Sequence, residues 1–166
     1  SDEWHEKFMN FIKDRAKKNK IDVLIGSIPY RKKNHKFLNR SIIVDSKGLE
    51  ISYYDKINLF NVNLSPREKY LESKNYDSGR EIKVAKLSYG NLGLSICYDI
   101  RFPILYRELV KKGADFISIP AAFTYTTGHA HWHSLIRARA IENGCFIFAP
   151  AQVGYHENGR RTYGHS

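Results

Sequence analysis

Cys97 is the residue whose setting most clearly offers chemistry. It closes an apolar run at 92–97, immediately before a turn and the start of a helix at Pro103. A strand that ends in this way presents its last side chain at the rim of a sheet, where α/β enzymes place reacting groups. The dipole of the following helix, with Arg101 close in sequence, is expected to favour thiolate over thiol. The corresponding chemistry is nucleophilic attack and a covalent intermediate. Cys145 lies inside Cys145-Phe146-Ile147-Phe148, in mid-strand, and reads as core. The two cysteines stand 48 positions apart, which provides neither a disulfide framework nor a close metal-binding pair. His129-Ala130-His131-Trp132-His133 places His129 and His133 on one helical face, but no glutamate follows the first histidine and no third ligand stands at useful spacing. It is expected to be a polar helix start lining the pocket, with no metal. Gly26-Ser27 and Gly90-Asn91-Leu92-Gly93 lack the lysine and spacing of a phosphate loop.

The elements that must position such a thiol can be traced along the chain. Trp4, Phe8, Phe11 and Ile12 recur at helical spacing, so residues 3–19 read as an amphipathic helix. An apolar strand follows at 23–28. Two runs at 37–45 and 49–55, joined by Ser46-Lys47-Gly48, read as a hairpin whose glycine takes the left-handed conformation. Residues 61–80 are polar and aperiodic, a long loop of the kind that carries function when ordered. After Cys97, residues 103–112 form a helix with Pro103 in its first turn and Gly113 as its stop. Strand 116–120, helix 131–143 ending at Gly144, and strand 145–149 complete an alternation that predicts parallel strands joined by crossovers. Nothing in Tyr163-Gly164-His165-Ser166 reads as a closing element, and Arg137, Arg139 and Glu142 read as a structural charge network.

Composition narrows the class. A content of 42% hydrophobic and 13% aromatic residues supports a folded core despite a net charge of +10, and 166 residues suit one domain. The charge is spread along the chain and not gathered on a stripe with interleaved aromatics, so nucleic acid is not the expected partner. No apolar run reaches the length of a membrane span, and the opening SDEWHEKF is no signal peptide. A cytoplasmic protein without membrane contact is expected.

Gly93-Leu94-Ser95-Ile96-Cys97-Tyr98-Asp99-Ile100-Arg101-Phe102-Pro103 resembles the nucleophile motif of the nitrilase superfamily of carbon–nitrogen hydrolases. Tyr54-Asp55-Lys56-Ile57-Asn58-Leu59-Phe60 resembles its lysine motif. Pro120-Ala121-Ala122-Phe123-Thr124-Tyr125-Thr126-Thr127-Gly128 resembles its pocket segment, and Arg137-Ala138-Arg139-Ala140-Ile141-Glu142-Asn143 the helix after it. Ala149-Pro150-Ala151-Gln152-Val153-Gly154 and Gly159-Arg160-Arg161-Thr162-Tyr163-Gly164-His165-Ser166 are similar to the branch acting on deaminated glutathione and other ω-amides. The resemblance implies a nitrilase-like αββα sandwich in the α/β class, here incomplete at both ends, with residues 1–166 forming part of the domain. It implies a small amide as substrate, a homo-oligomer, and no cofactor.

The resemblance also assigns roles. Cys97 would attack the amide carbonyl, and Lys56, with the Tyr98 backbone N–H, would face the developing oxyanion. Glu72 would orient the lysine and the substrate, while Tyr98, Phe123 and Thr124 would contact substrate. By themselves Lys56 and Glu72 are an ordinary lysine and a solvated loop charge. Two departures stand out. Asn58 occupies a position where the motif more usually has histidine. The family's general base is a glutamate on an earlier loop, for which these residues hold no match; Asp2, Glu3 and Glu6 fall on the opening helix. The alternative is an inactive remnant or a partner-dependent fragment without its general base.

Overall fold

The computed structural model describes residues 2–31, 36–65, 68–157 and 159–166. Helix α1 (Asp2–Asn19) opens the chain. Its apolar stripe buries Met9 and Ala16, with Phe8 and Ile12 beside them. The helix stops at Lys20, left-handed at φ 54°, where the Ile21 N–H reaches back to the Ala16 carbonyl.

Strands β1 (Val23–Arg31), β2 (Phe37–Val44) and β3 (Glu50–Asp55) form an antiparallel meander. The expected hairpin is present. Gly48 sits at φ 81°, and Asp45 Oδ1 accepts from the backbone N–H groups of Lys47 and Leu49. Period-2 alternation sorts β2 between two faces: Ile42 and Val44 pack under α1, whereas Ile43 faces away from it.

Residues 61–80 are more ordered than their sequence suggests. Strands β4 (Asn61–Ser65) and β5 (Glu68–Leu71) pair antiparallel, a short 3-10 turn follows at Glu72–Lys74, and β6 (Tyr76–Asp77) adds to β2 in parallel. Pro66 and Arg67 of that stretch lie outside the described residues.

The second half alternates as expected. β7 (Val84–Leu87) pairs antiparallel with β8 (Gly90–Leu94), and a 3-10 turn spans Cys97–Arg101. Helix α2 (Pro103–Lys111) leads to β9 (Phe116–Ser118), and helix α3 (Tyr125–Asn143) to β10 (Phe146–Phe148). The sheet order is β10-β9-β8-β7, with β8, β9 and β10 parallel. Three elements differ from the sequence expectation. β8 ends at Leu94, three residues before Cys97. Helix α3 begins at Tyr125 and not at His131, because Gly128, Thr126 and Thr127 are helical despite poor propensity; a Cβ on Gly128 would stand 2.4 Å from Tyr163 Cβ, so close docking requires the glycine. Finally, β11 (Val153–Tyr155) and β12 (Arg161–Tyr163) form a hairpin near the end of the chain.

Three apolar clusters define four layers. One joins α1 to β1 and β2, and a second fills the space between the sheets with Ile43, Tyr54, Leu92, Leu94 and Ile96. The third packs α2 and α3 on the outer face of the second sheet around Leu109, Ile117, Ile119 and Trp132. The result is an αββα sandwich. Truncating fully buried Leu94 to alanine would cost about 2–5 kcal/mol. Among the described residues, no helix is long and apolar enough to cross a membrane.

Candidate active site

Cys97 has φ 49°, a left-handed conformation that costs a non-glycine residue about 1–3 kcal/mol and that concentrates at functional sites. The surrounding bonds impose it. Past the end of β8 the chain still pairs with the last residue of β9 and the segment after it, as Ser95 N–H donates to Ser118 O (3.2 Å) and Cys97 N–H to Pro120 O (3.0 Å). Asp99 closes the turn on the other side: its N–H donates to Ile96 O at 3.1 Å, and its Oδ2 accepts from Ile96 N–H at 2.9 Å. The thiol is thereby held at the strand-to-turn corner, half-buried.

Lys56 follows the last residue of β3, and its N–H donates to Asn39 O at 2.9 Å. Its side chain is only 3% exposed, a burial an ammonium tolerates only when paired. The partner is Glu72, whose Oε2 lies 2.6 Å from Lys56 Nζ. The same oxygen accepts from Phe60 N–H at 2.7 Å, and Oε1 accepts from Asn39 Nδ2 at 3.0 Å. Burial opposes the Glu72 carboxylate, but the Lys56 charge and these hydrogen bonds outweigh it, holding its pKa below the ordinary glutamate value.

Burial pushes the Cys97 thiol above its ordinary value, and Glu72 adds to the rise; Lys56, the Ala122 N–H and Arg160 pull against it. The thiol is therefore not activated by a depressed pKa, contrary to the sequence expectation. Arg101 does not supply the expected charge. Its Nη2 meets His131 Nδ1 at 3.2 Å, and its guanidinium lies over Phe123 at 5.5 Å.

Asp99 joins the two motifs. Its Oδ2 also accepts from Tyr54 OH at 2.8 Å, and Oδ1 accepts from Asn58 N–H at 3.0 Å and Asn58 Nδ2 at 2.9 Å. Asn58, standing where the lysine motif more usually has histidine, thus ties that segment to the cysteine turn. Sequence reasoning missed Asp99, although an acidic residue two positions after the cysteine, inside an otherwise apolar strand-to-turn corner, was the available signal. It also missed Arg160, whose Nη2 donates to Ala122 O and which shares a small pocket with Cys97. Only contact across 38 positions reveals it.

A cleft of about 1010 Å³ opens over these groups, lined by Lys56, Tyr70, Glu72, Cys97, Gln152 and Arg160 among others. Lys56, Glu72 and Cys97 are brought together in it. Tyr98, Phe123 and Thr124 are not part of that lining; they surround a much smaller pocket beside Cys97, with Phe60 and Thr127. Tyr98 packs edge-on against Phe60 and Phe102, and Thr124 Oγ1 meets Thr127 Oγ1 at 2.6 Å.

His129 and His133 also depart from expectation: they face Tyr163 and not the cleft, and His165 stacks on that ring at 4.1 Å. Among the described residues, no group of three histidine, cysteine or acidic side chains is arranged to hold a metal. Of the expected charge network, Arg139 bridges Glu142 at 2.7 Å and donates from Nε to Ile100 O at 2.8 Å, anchoring α3 to the cysteine turn.

Comparison with known proteins places this geometry. The chain is 43% identical over 158 residues to a deaminated glutathione amidase from Yersinia enterocolitica, covering 93% of this chain and 55% of that protein. It is 42% identical to the deaminated glutathione amidase of Dictyostelium discoideum, with 93% and 54% covered. The crystal structure of the Caenorhabditis elegans NitFhit protein superposes with a TM-score of 0.89 at 40% identity, over 96% of this chain and 39% of that one. Saccharomyces cerevisiae Nit3, a member of branch 10 of the nitrilase superfamily, gives 0.84 at 33% identity, over 95% and 55%. The chain thus spans about half the length of the curated amidases it matches. The family model described as carbon-nitrogen hydrolase matches residues 1–166 throughout. By that match, by these identities and by the sandwich that carries its cysteine turn, the chain belongs to the carbon-nitrogen hydrolase family.

Proposed function

We propose that this chain carries the thiol half of an amide-hydrolysing site, acting on an ω-amide of a dicarboxylic acid or on deaminated glutathione. Cys97 Sγ adds to the amide carbonyl carbon, the C–N bond breaks, and the thiol proton leaves on the amine nitrogen as ammonia. Water then adds to the thioester, releasing the carboxylic acid and restoring the thiol. Lys56 Nζ and backbone N–H groups at the Cys97 turn meet the negative oxygen of each tetrahedral intermediate. Glu72 holds Lys56 in place. One observation carries the proposal: a cysteine in a left-handed conformation lines a large cleft together with the buried Lys56–Glu72 ion pair. The relatives' name, deaminated glutathione amidase, supports the substrate class.

The partner-dependent alternative has its own support, since both Glu72 oxygens are already engaged and the thiol pKa is raised. The test is acyl-enzyme trapping. Incubation with an activated ester of the same acid, followed by acid quench and peptide mass mapping, should place the acyl group on Cys97. Acylation elsewhere, or acylation that persists in Cys97→Ala, would refute the assignment.

A further inference from the structure

We propose that Arg160 is the specificity-determining cation of the cleft, recognising a carboxylate carried by the substrate at a distance from its reacting amide. The inference rests on the reading that Cys97 attacks an amide in this cleft. An uncharged amide needs one cation, at the oxyanion, and Lys56 with its Glu72 partner occupies that place. The cleft nonetheless holds Lys69 and Arg160 besides Lys56, against Glu72, so its lining is net cationic. Between the two additional cations, Arg160 is the one oriented toward the nucleophile. It lines both the cleft and the small pocket beside Cys97.

Its orientation is fixed. Nη2 donates to Ala122 O, and the guanidinium carbon lies 5.4 Å from the Tyr70 ring centre. Cys97 N–H donates to Pro120 O at 3.0 Å, two residues before Ala122, so the guanidinium and the cysteine are referenced to one short segment. A guanidinium is the side chain best suited to a carboxylate, because its planar fork matches the two oxygens, and a held fork loses less entropy on binding. A substrate with a carboxylate would dock on Arg160 and bring its amide to the thiol in a set register.

Alkylation of Cys97 by iodoacetate and by iodoacetamide tests this without requiring turnover, so the hydrolytic reading can fail while the Arg160 assignment is decided separately. The two reagents differ in one respect that matters here, a carboxylate in place of a neutral amide. The ratio of their rates cancels any change in the thiol itself. Wild type should show an iodoacetate-to-iodoacetamide ratio about tenfold above that of Arg160→Met, with Arg160→Lys in between. An equal ratio in wild type and Arg160→Met would overturn the proposal, and equal slowing of both reagents would assign Arg160 to the thiol alone. Labelling of Cys145 would reveal a misfolded variant. In that case the wild-type protein decides: glutarate should protect Cys97 at concentrations where glutaramide does not, and equal protection by the two refutes the assignment.

Discussion

Cys97, Lys56 and Glu72 form a line of groups in which each charge sets the behaviour of the next. Glu72 neutralises Lys56, and Lys56 in turn only partly offsets the burial of the Cys97 thiol. The two neighbours therefore act on the sulfur with opposite sign. Removing the ammonium in Lys56→Met should raise the thiol pKa further and slow iodoacetamide labelling at neutral pH roughly tenfold. Glu72→Gln removes a negative charge and releases Lys56, so labelling should accelerate. Because only thiolate reacts and the thiol lies above its ordinary value of 9.0, the wild-type rate should still be climbing past pH 9. Cys145 is 9% exposed, also raised by burial, and should be modified after Cys97. Mass-mapped labelling time courses read all of these. Slower labelling of Glu72→Gln, or modification of Cys145 first, would contradict this account.

At the scale of elements, the site depends on two segments being locked together, and Asp99 is the lock. Four donors from Tyr54, Asn58 and Ile96 converge on its fully buried carboxylate. Burial pushes its pKa up while those donors resist. Asp99→Asn would turn one oxygen into an amide NH2 facing existing donors, leaving at least one buried N–H or O–H unsatisfied. A loss of about 2–4 kcal/mol is expected in urea unfolding, with faster alkylation of Cys97 as the corner loosens. Unchanged stability would show that the lysine segment and cysteine turn are held by packing alone. Legibility follows the same division. Helix α1, the Gly48 hairpin and the three parallel strands were readable, because each carries a periodic apolar pattern or a glycine with one conformational role. The β4–β5 pair and the start of α3 were not: β4 and β5 are only five and four residues long within a largely polar stretch, and helix 125–130 is fixed by Gly128 meeting Tyr163, a contact 35 positions away. Cys97 stood out by its place at the end of an apolar run, and the motif around Lys56 by resemblance; Asp99 carried a signal in its place two residues after the cysteine, whereas Arg160 emerges only from tertiary contact.

Across the whole molecule, the four layers place the cleft where β3, the cysteine turn and the segments after β9 and β10 meet. Beyond it, on β10 and β11, Phe146, Phe148, Val153 and Tyr155 are 59–79% exposed. General-base chemistry in the cleft would call on a carboxylate. Of the described residues lining it, the sole carboxylate is Glu72, and three donors hold its two oxygens. To take the Cys97 proton it would have to abandon Lys56. General-base assistance contributes about 10²–10⁴ in rate. The 166-residue chain by itself is therefore expected to release ammonia from glutaramate-type amides at least about 10²-fold more slowly than the full-length Yersinia enterocolitica amidase assayed in parallel. The residual release should vanish in Cys97→Ser. Supplying a second polypeptide that brings a carboxylate to the cleft should raise the rate, with the same dependence on Cys97. A wild-type chain that matches the full-length relative, and loses that rate in Glu72→Gln, would show instead that Glu72 exchanges its hold on Lys56 for the role of base.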